Sequence, residues 1–203
     1  MADNTVLLAI DDHLLPFRRD LCYYVSKPTV RAEAVLAPSV DDPNAPDHQT
    51  AHFYGTVLFD EGRYRMWYYA RREVGEDGLA LYAESDDGLA WSKPALGMTE
   101  DSTGSVANNI AFVRTALVKD MNPNVLYTPE MPDGHAYTML TYGSGYRAPY
   151  NGYFLAFSDD GISWTDGPRT PVIPGYGDVG WFTYDERDGV LRGALSWDRA
   201  PGP

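Results

Sequence analysis

Apolar residues in this chain come in short runs that alternate with polar ones, the period-two pattern of strands. Gly, Pro or Asn-Asp clusters end almost every run within about ten residues. Helices need longer uninterrupted stretches of good helix formers, so the pattern predicts very little helix. Val57-Leu58-Phe59 leads through a turn to Tyr64-Arg65-Met66, and Val125-Leu126-Tyr127 leads in the same way to Tyr137-Thr138-Met139. The strand expected over Arg63 to Ala70 carries Tyr64, Met66 and Tyr68 on one face and Trp67 and Tyr69 on the other, so neither face is consistently polar. A strand of that kind must be covered on both sides. A two-sheet sandwich leaves one face of each strand wet, whereas four-stranded units of about 40 to 60 residues stacked around an axis cover both. The expected fold is all-β, a β-propeller of four-stranded antiparallel blades.

Self-similarity sets the register. Ala83-Glu84-Ser85-Asp86-Asp87-Gly88-Leu89-Ala90-Trp91 recurs 73 residues later as Ala156-Phe157-Ser158-Asp159-Asp160-Gly161-Ile162-Ser163-Trp164. A third copy starts at Trp181-Phe182-Thr183-Tyr184-Asp185, turns at Arg187-Asp188-Gly189 and continues from Val190 to Trp197. Each unit reads as strand, turn, strand, loop, strand, Ser-Asp-Asp-Gly turn, and a last short strand opening on Trp. The units run over residues 52–97, 120–175 and 178–203, after an N-terminal strand segment over 1–40, all in one partial domain. In the turn, Ser and Asp side chains can bond backbone N–H groups while Gly supplies a positive φ. Asp86, Asp87, Asp159 and Asp160 therefore read as turn residues rather than catalytic pairs, with Trp91 and Trp164 re-entering the core.

Composition narrows the partners. A formal charge of −13 with no Lys/Arg cluster would repel a phosphate backbone, which excludes nucleic acid. The one cysteine, Cys22, lies between Leu21 and Tyr23 and is expected to be a buried, inert thiol. Thr5 to Ile10 is too short and lacks the basic flank of a signal peptide, and no run reaches the ~18 apolar residues of a membrane span. A cytoplasmic protein without membrane contact is expected, or a secreted one if the true N-terminus is missing. His13, His48, His52 and His135 show no metal-ligand spacing, so no cofactor is expected. A hard cation such as Ca2+ in an axial funnel stays open.

The chain resembles the five-bladed propeller glycosidases, the group that includes invertases, levansucrases, arabinanases and xylosidases. The resemblance is carried by Tyr54-Gly55-Thr56-Val57 leading to Arg63-Tyr64-Arg65-Met66-Trp67-Tyr68, by both Ser-Asp-Asp-Gly-x-x-Trp turns, and by Lys119-Asp120-Met121-Asn122-Pro123. The turn is one residue shorter than the sialidase Asp-box. Lys119-Asp120 is similar to the Arg-Asp-Pro element of invertase-like members, whose Asp stabilises the transition state; here Lys replaces Arg, and Pro stands at 123. The resemblance implies a five-bladed fold. Five blades of about 60 residues need roughly 300, so the chain is expected to hold an incomplete propeller whose open blade edges could self-associate.

In a propeller the inner strands converge on one funnel, so residues just before them meet around one pocket. His52 lies five residues before Val57, Asp120 five before Val125 and Asp178 four before Phe182, which puts three ionisable side chains at one level. Glycoside hydrolysis needs two carboxyl groups, one protonating the leaving oxygen and one acting as nucleophile or activating water. Asp120 and Asp178 could form that pair. Family members place an Asp in the first blade, where this chain has His52, with Asp47 five residues earlier; they take the acid from a Glu in a later blade, and Glu130 and Glu186 fall in predicted turns. Tyr54, Asn108, Asn109, Tyr146, Arg147 and Trp181, with His52, are the candidate sugar contacts, since sugars stack C–H faces on rings and pair hydroxyls with amides. The expected function is a glycoside hydrolase-like protein acting on or binding a poly- or oligosaccharide. The alternatives are a non-catalytic propeller that binds glycan or protein, or an inactive fragment of a larger enzyme.

Overall fold

The computed structural model describes residues 19–20, 26–76, 78–112, 122–129, 134–143, 151–175, 177 and 179–196. Cys22 lies outside them. The chain divides into two units, Met1–Ala34 and Val35–Pro203. In the first, residues 19–20 and 26–34 are exposed and carry no strand. All regular structure among the described residues is β, in the second unit, and every pairing is antiparallel.

The first blade is a meander of β1 (Thr50–Asp60), β2 (Arg63–Arg71), β3 (Leu79–Ser85) and β4 (Ile110–Phe112), hydrogen-bonded in that order. The second runs β5 (Asn124–Tyr127), β6 (Tyr137–Gly143), β7 (Gly152–Ser158) and β8 (Thr165–Asp166), with β9 (Ile173–Pro174) also on β7. A third sheet is the hairpin of β10 (Gly180–Asp185) and β11 (Val190–Leu195). The first strands lie side by side, β1 against β5 and β5 against β10. This is the arrangement of propeller blades around an axis, two of them full and the third a hairpin.

Alternation places the core. On β2, Met66, Tyr68 and Ala70 face one way and pack with Leu81, Ala83 and Ile110, covered by Leu36 and Trp91. Trp67 faces the other way and meets Tyr82 and Phe112 of its own blade and Val125, Tyr137, Met139 and Ala156 of the second. The opposite face of the second blade presents Leu140, Tyr142 and Tyr153 to Phe182 of the third sheet. The blades are thus held by shared apolar layers, each fully buried large side chain contributing about 1.5–3 kcal/mol. Both faces of the aromatic strand are covered, as its pattern requires.

The first blade departs from the expected unit at its fourth strand, which lies at Ile110–Phe112 rather than directly after Trp91. The Trp91 indole folds back onto the Gly88 carbonyl, and only Ser92 reaches the sheet, as an isolated bridge to Glu84. Pro94, two residues on, has no N–H with which to continue a ladder. In the second blade a short strand does open directly after Trp164.

Candidate functional site

Strand β1 starts earlier than its apolar run because a bulge between His52 and Thr56 lets it pair twice with β2. Gly55 is required there: a Cβ would stand 1.9 Å from the Trp67 carbonyl oxygen. The bulge turns Phe53–Gly55 toward the segments that precede the other two inner strands. Phe53, Tyr54, Gly55, Asn122, Pro123, Asn124, Val179, Gly180 and Trp181 line one cavity of about 80 Å³. Its aromatic walls are open to solvent, Tyr54 being 47% and Trp181 49% exposed. His52 stacks on Tyr54 with ring centroids 5.8 Å apart, and Tyr69 lies 5.9 Å from His52. No described residue lining this cavity carries a carboxylate.

The inner strands are fastened just behind these walls. The Thr56 hydroxyl oxygen accepts the Val125 N–H at 2.9 Å and the Asn124 amide at 3.3 Å. The Asn124 carbonyl oxygen in turn accepts the Phe182 N–H at 2.8 Å. Three successive blades are therefore linked through two side chains at one register.

Asp47, Asn108 and Asn109 belong to a different place, a polar cavity of about 360 Å³ bounded by Ser39–Asp47 and the segment Lys93–Asn109. Asp47 is 1% exposed and its Oδ2 accepts hydrogen bonds from Lys93 Nζ at 2.5 Å and from the Tyr68 hydroxyl at 3.0 Å. Burial, and then the Asp47 charge, push the Tyr68 hydroxyl well above the ordinary phenol range. Asn109 donates to Tyr68 Oη and to the Tyr82 carbonyl, while Asn108 donates to Thr99 and Ser105 carbonyls and accepts from the Ile110 N–H. These amides fold the 93–109 segment onto the face of the first blade that carries Met66 and Tyr68.

The structure thus brings His52, Tyr54 and Trp181 together and separates Asn108, Asn109 and Asp47 from them, which corrects the expectation of a single rim. The shared rim fails because both asparagines serve the return to β4, a detour the repeat does not contain. Asp120, Asp178, Tyr146 and Arg147 lie outside the described residues. Among the described residues no group of three or more His, Cys, Asp or Glu is placed to hold a metal ion, and no helix is long and apolar enough to cross a membrane.

Two sets of residues were missed. Phe53, Asn122 and Asn124 line the cavity, and their signal was the register itself, since Asn124 precedes Val125 as Thr56 precedes Val57. The second set is a largely buried polar cluster between the first two blades. Arg65 donates to Asp60 at 3.0 Å, to the hydroxyls of Tyr82 and Tyr137 at 3.0 and 2.9 Å, and to the Asp160 carbonyl at 2.6 Å. Tyr137 also donates to Asp60, and burial, with that bond next, raises its hydroxyl above the ordinary range.

No protein-family model matches the chain, and no curated protein sequence does. Among solved structures it is similar to a Bacteroides ovatus protein classed provisionally as a glycoside hydrolase, with 18% identity and a TM-score of 0.47 over 88% of this chain and 52% of that one. It is similar also to a family 117 glycoside hydrolase of Zobellia galactanivorans, at 16% identity and a TM-score of 0.44 over 68% of this chain and 37% of that one. An N-acetylgalactosamine deacetylase from F. plautii, solved with blood group B trisaccharide, follows at 16% and 0.41, over 64% of this chain and 35% of that one. The chain spans about half the length of the first and little more than a third of the others.

Proposed function

We propose that the protein is a glycoside hydrolase-like propeller that takes a poly- or oligosaccharide at the convergence of its inner strands. The observation that carries this is the pair of half-exposed rings, Tyr54 from the first blade and Trp181 from the third, on one cavity lined by the approaches to three inner strands. Rings exposed on such a wall offer the flat apolar faces on which sugar C–H groups stack. Asp120 and Asp178 are the proposed carboxyl pair, one protonating the leaving oxygen and the other attacking or activating water. Asp47 is left out of the pair because its buried carboxylate is already held by Lys93 and Tyr68.

The test is calorimetric titration with sucrose, arabinohexaose and xylohexaose, together with reducing-sugar release. Binding of at least one probe is expected, weakened about tenfold or more by Trp181→Ala, as loss of a stacking ring of 1–2 kcal/mol implies. Turnover should vanish in Asp120→Asn and Asp178→Asn but survive Asp47→Asn, which should lower the melting temperature instead. Absence of binding to all three probes, or full affinity in Trp181→Ala, overturns the proposal. The second reading is binding without hydrolysis, favoured by His52 standing in the first blade where the resembled family carries an Asp; affinity without product release would establish it.

A further inference from the structure

The residue just before the first core position of each inner strand holds one register in all three blades: Thr56 before Val57, Asn124 before Val125, Trp181 before Phe182. In the first two blades this side chain accepts the next blade's N–H at the following position, Thr56 from Val125 and Asn124 from Phe182. In the third blade the register is occupied by an indole, which has no acceptor oxygen and is half exposed on the cavity. One structural position is thus a clamp twice and a cavity wall once.

Asn124 is bonded on both sides of this series. Its amide nitrogen donates to Thr56, two residues from Tyr54, and its oxygen accepts from Phe182, one residue from Trp181. It is 2% exposed, and Thr56 and Phe182 are buried with it. We propose that Asn124 is a positioning residue, which sets the separation and orientation of Tyr54 and Trp181 by spanning the three inner strands. This rests on the carbohydrate reading above only for what the walls grip; the positioning itself can be seen without a ligand.

An amide bridge suits this task because it is short, planar and both donor and acceptor, so it joins the Thr56 hydroxyl to the Phe182 N–H at fixed spacing. Alanine would leave the Phe182 N–H without its partner in a buried place, and the third inner strand would be free to shift. Aspartate keeps an acceptor for Phe182 and can take the Thr56 hydroxyl proton, so it should retain both links.

The experiment has a ligand-free arm and a ligand arm. Indole N–H resonances of the folded protein are recorded by NMR, with Trp181 assigned by Trp181→Phe. Asn124→Ala should shift or broaden Trp181 while leaving Trp91 and Trp164 in place, and Asn124→Asp should restore it. If Asn124→Ala does not fold, Thr56→Val is read in the same way. Affinity for xylohexaose, arabinohexaose and sucrose should fall about tenfold in the alanine variant, a loss in keeping with one misplaced hydrogen bond. That loss should not add to the loss in Trp181→Ala. An unmoved Trp181 resonance, or full additivity, overturns the positioning role. A shifted resonance with no binding of any probe by the unaltered protein keeps it and overturns the carbohydrate reading instead.

Discussion

The turn at Ser85–Trp91 and the turn at Ser158–Trp164 share one set of internal hydrogen bonds, to which the second adds the Ser163 hydroxyl on Asp160 Oδ2. Ser85 and Ser158 each accept from two N–H groups of the turn, at 3.3 and 2.9 Å in the first and 3.3 and 2.8 Å in the second. Asp87 and Asp160 each cap two more, and Trp91 and Trp164 each return an indole N–H to the glycine carbonyl. Their surroundings differ. The second turn is pinned by the preceding blade, where Trp67 donates to the Gly161 carbonyl at 2.9 Å and Arg65 to the Asp160 carbonyl, and Trp164 meets Trp67 edge-on at 6.4 Å. The first turn has no blade before it among the described residues; Trp91 packs instead beside Leu36. The motif is therefore a local device that becomes an inter-blade fastener only where a strand bearing Arg65 and Trp67 stands next to it.

The largest effect should come from cutting that fastener at its charged end. Arg65→Met removes the charged partner of largely buried Asp60, which keeps the Tyr137 hydroxyl, and the link to Asp160 together. Stability should fall by about 3 kcal/mol, the usual cost of stranding one member of a buried pair, read from urea midpoints. An unchanged midpoint would mean that the second turn holds its place without the first blade.

A finer separation uses the two glycines. Both have positive φ, 72° at Gly88 and 74° at Gly161, so alanine should cost about 1–2 kcal/mol at either from backbone strain alone. At Gly88 the added methyl would meet nothing closer than the Tyr64 ring at 3.6 Å, whereas at Gly161 it would stand 3.0 Å from Trp67 and 3.4 Å from Arg65. Gly161→Ala should therefore cost about 1 kcal/mol more than Gly88→Ala. It should also be non-additive with Arg65→Met, while Gly88→Ala should add. Equal costs with full additivity would show that the second turn is as independent as the first.

The same contrast explains what could be read without coordinates. The turns, the aromatic strand and the register of the inner strands were all legible, because local periodicity and a recurring motif encode them. That register puts His52, Asp120 and Asp178 at one level, and of the three only His52 lies among the described residues. The detour from Trp91 to Ile110 was not legible, because it exists in one copy only and its amides form tertiary bonds to Tyr68 and Tyr82. That is why Asn108 and Asn109 stand apart from Tyr54 and Trp181 rather than on one rim with them. Arg65 was visible as an odd charge on an aromatic strand, but its four partners come from three strands and a turn lying up to 95 residues from it, which spacing along the chain does not reveal.

The smallest expected difference lies in the carboxylates of the turns. Asp87 is held below the ordinary carboxylate range by the Ala90 and Leu89 N–H groups and then the Ser85 hydroxyl. At Asp160 partial burial pushes the carboxyl up, and the Ser163 and Ile162 N–H groups with the hydroxyls of Ser163 and Ser158 outweigh it, so the net shift is again downward. A carboxyl depressed in the folded state stabilises it above the unfolded value of about 3.9, and that contribution is lost as pH falls through the lower folded value. Asp160→Ala should thus be less stable than the parent near neutrality, and the deficit should shrink as pH is taken below about 4. Asp87→Ala should follow the same direction. Urea midpoints at several pH values would show this, and a deficit that does not change with pH would trace the loss to the acceptor geometry rather than the charge. The link to Arg65 runs through the main-chain oxygen of Asp160, not its carboxylate. Asp160→Ala and Arg65→Met should therefore add within a few tenths of a kcal/mol, which separates the turn's internal chemistry from its use as a fastener.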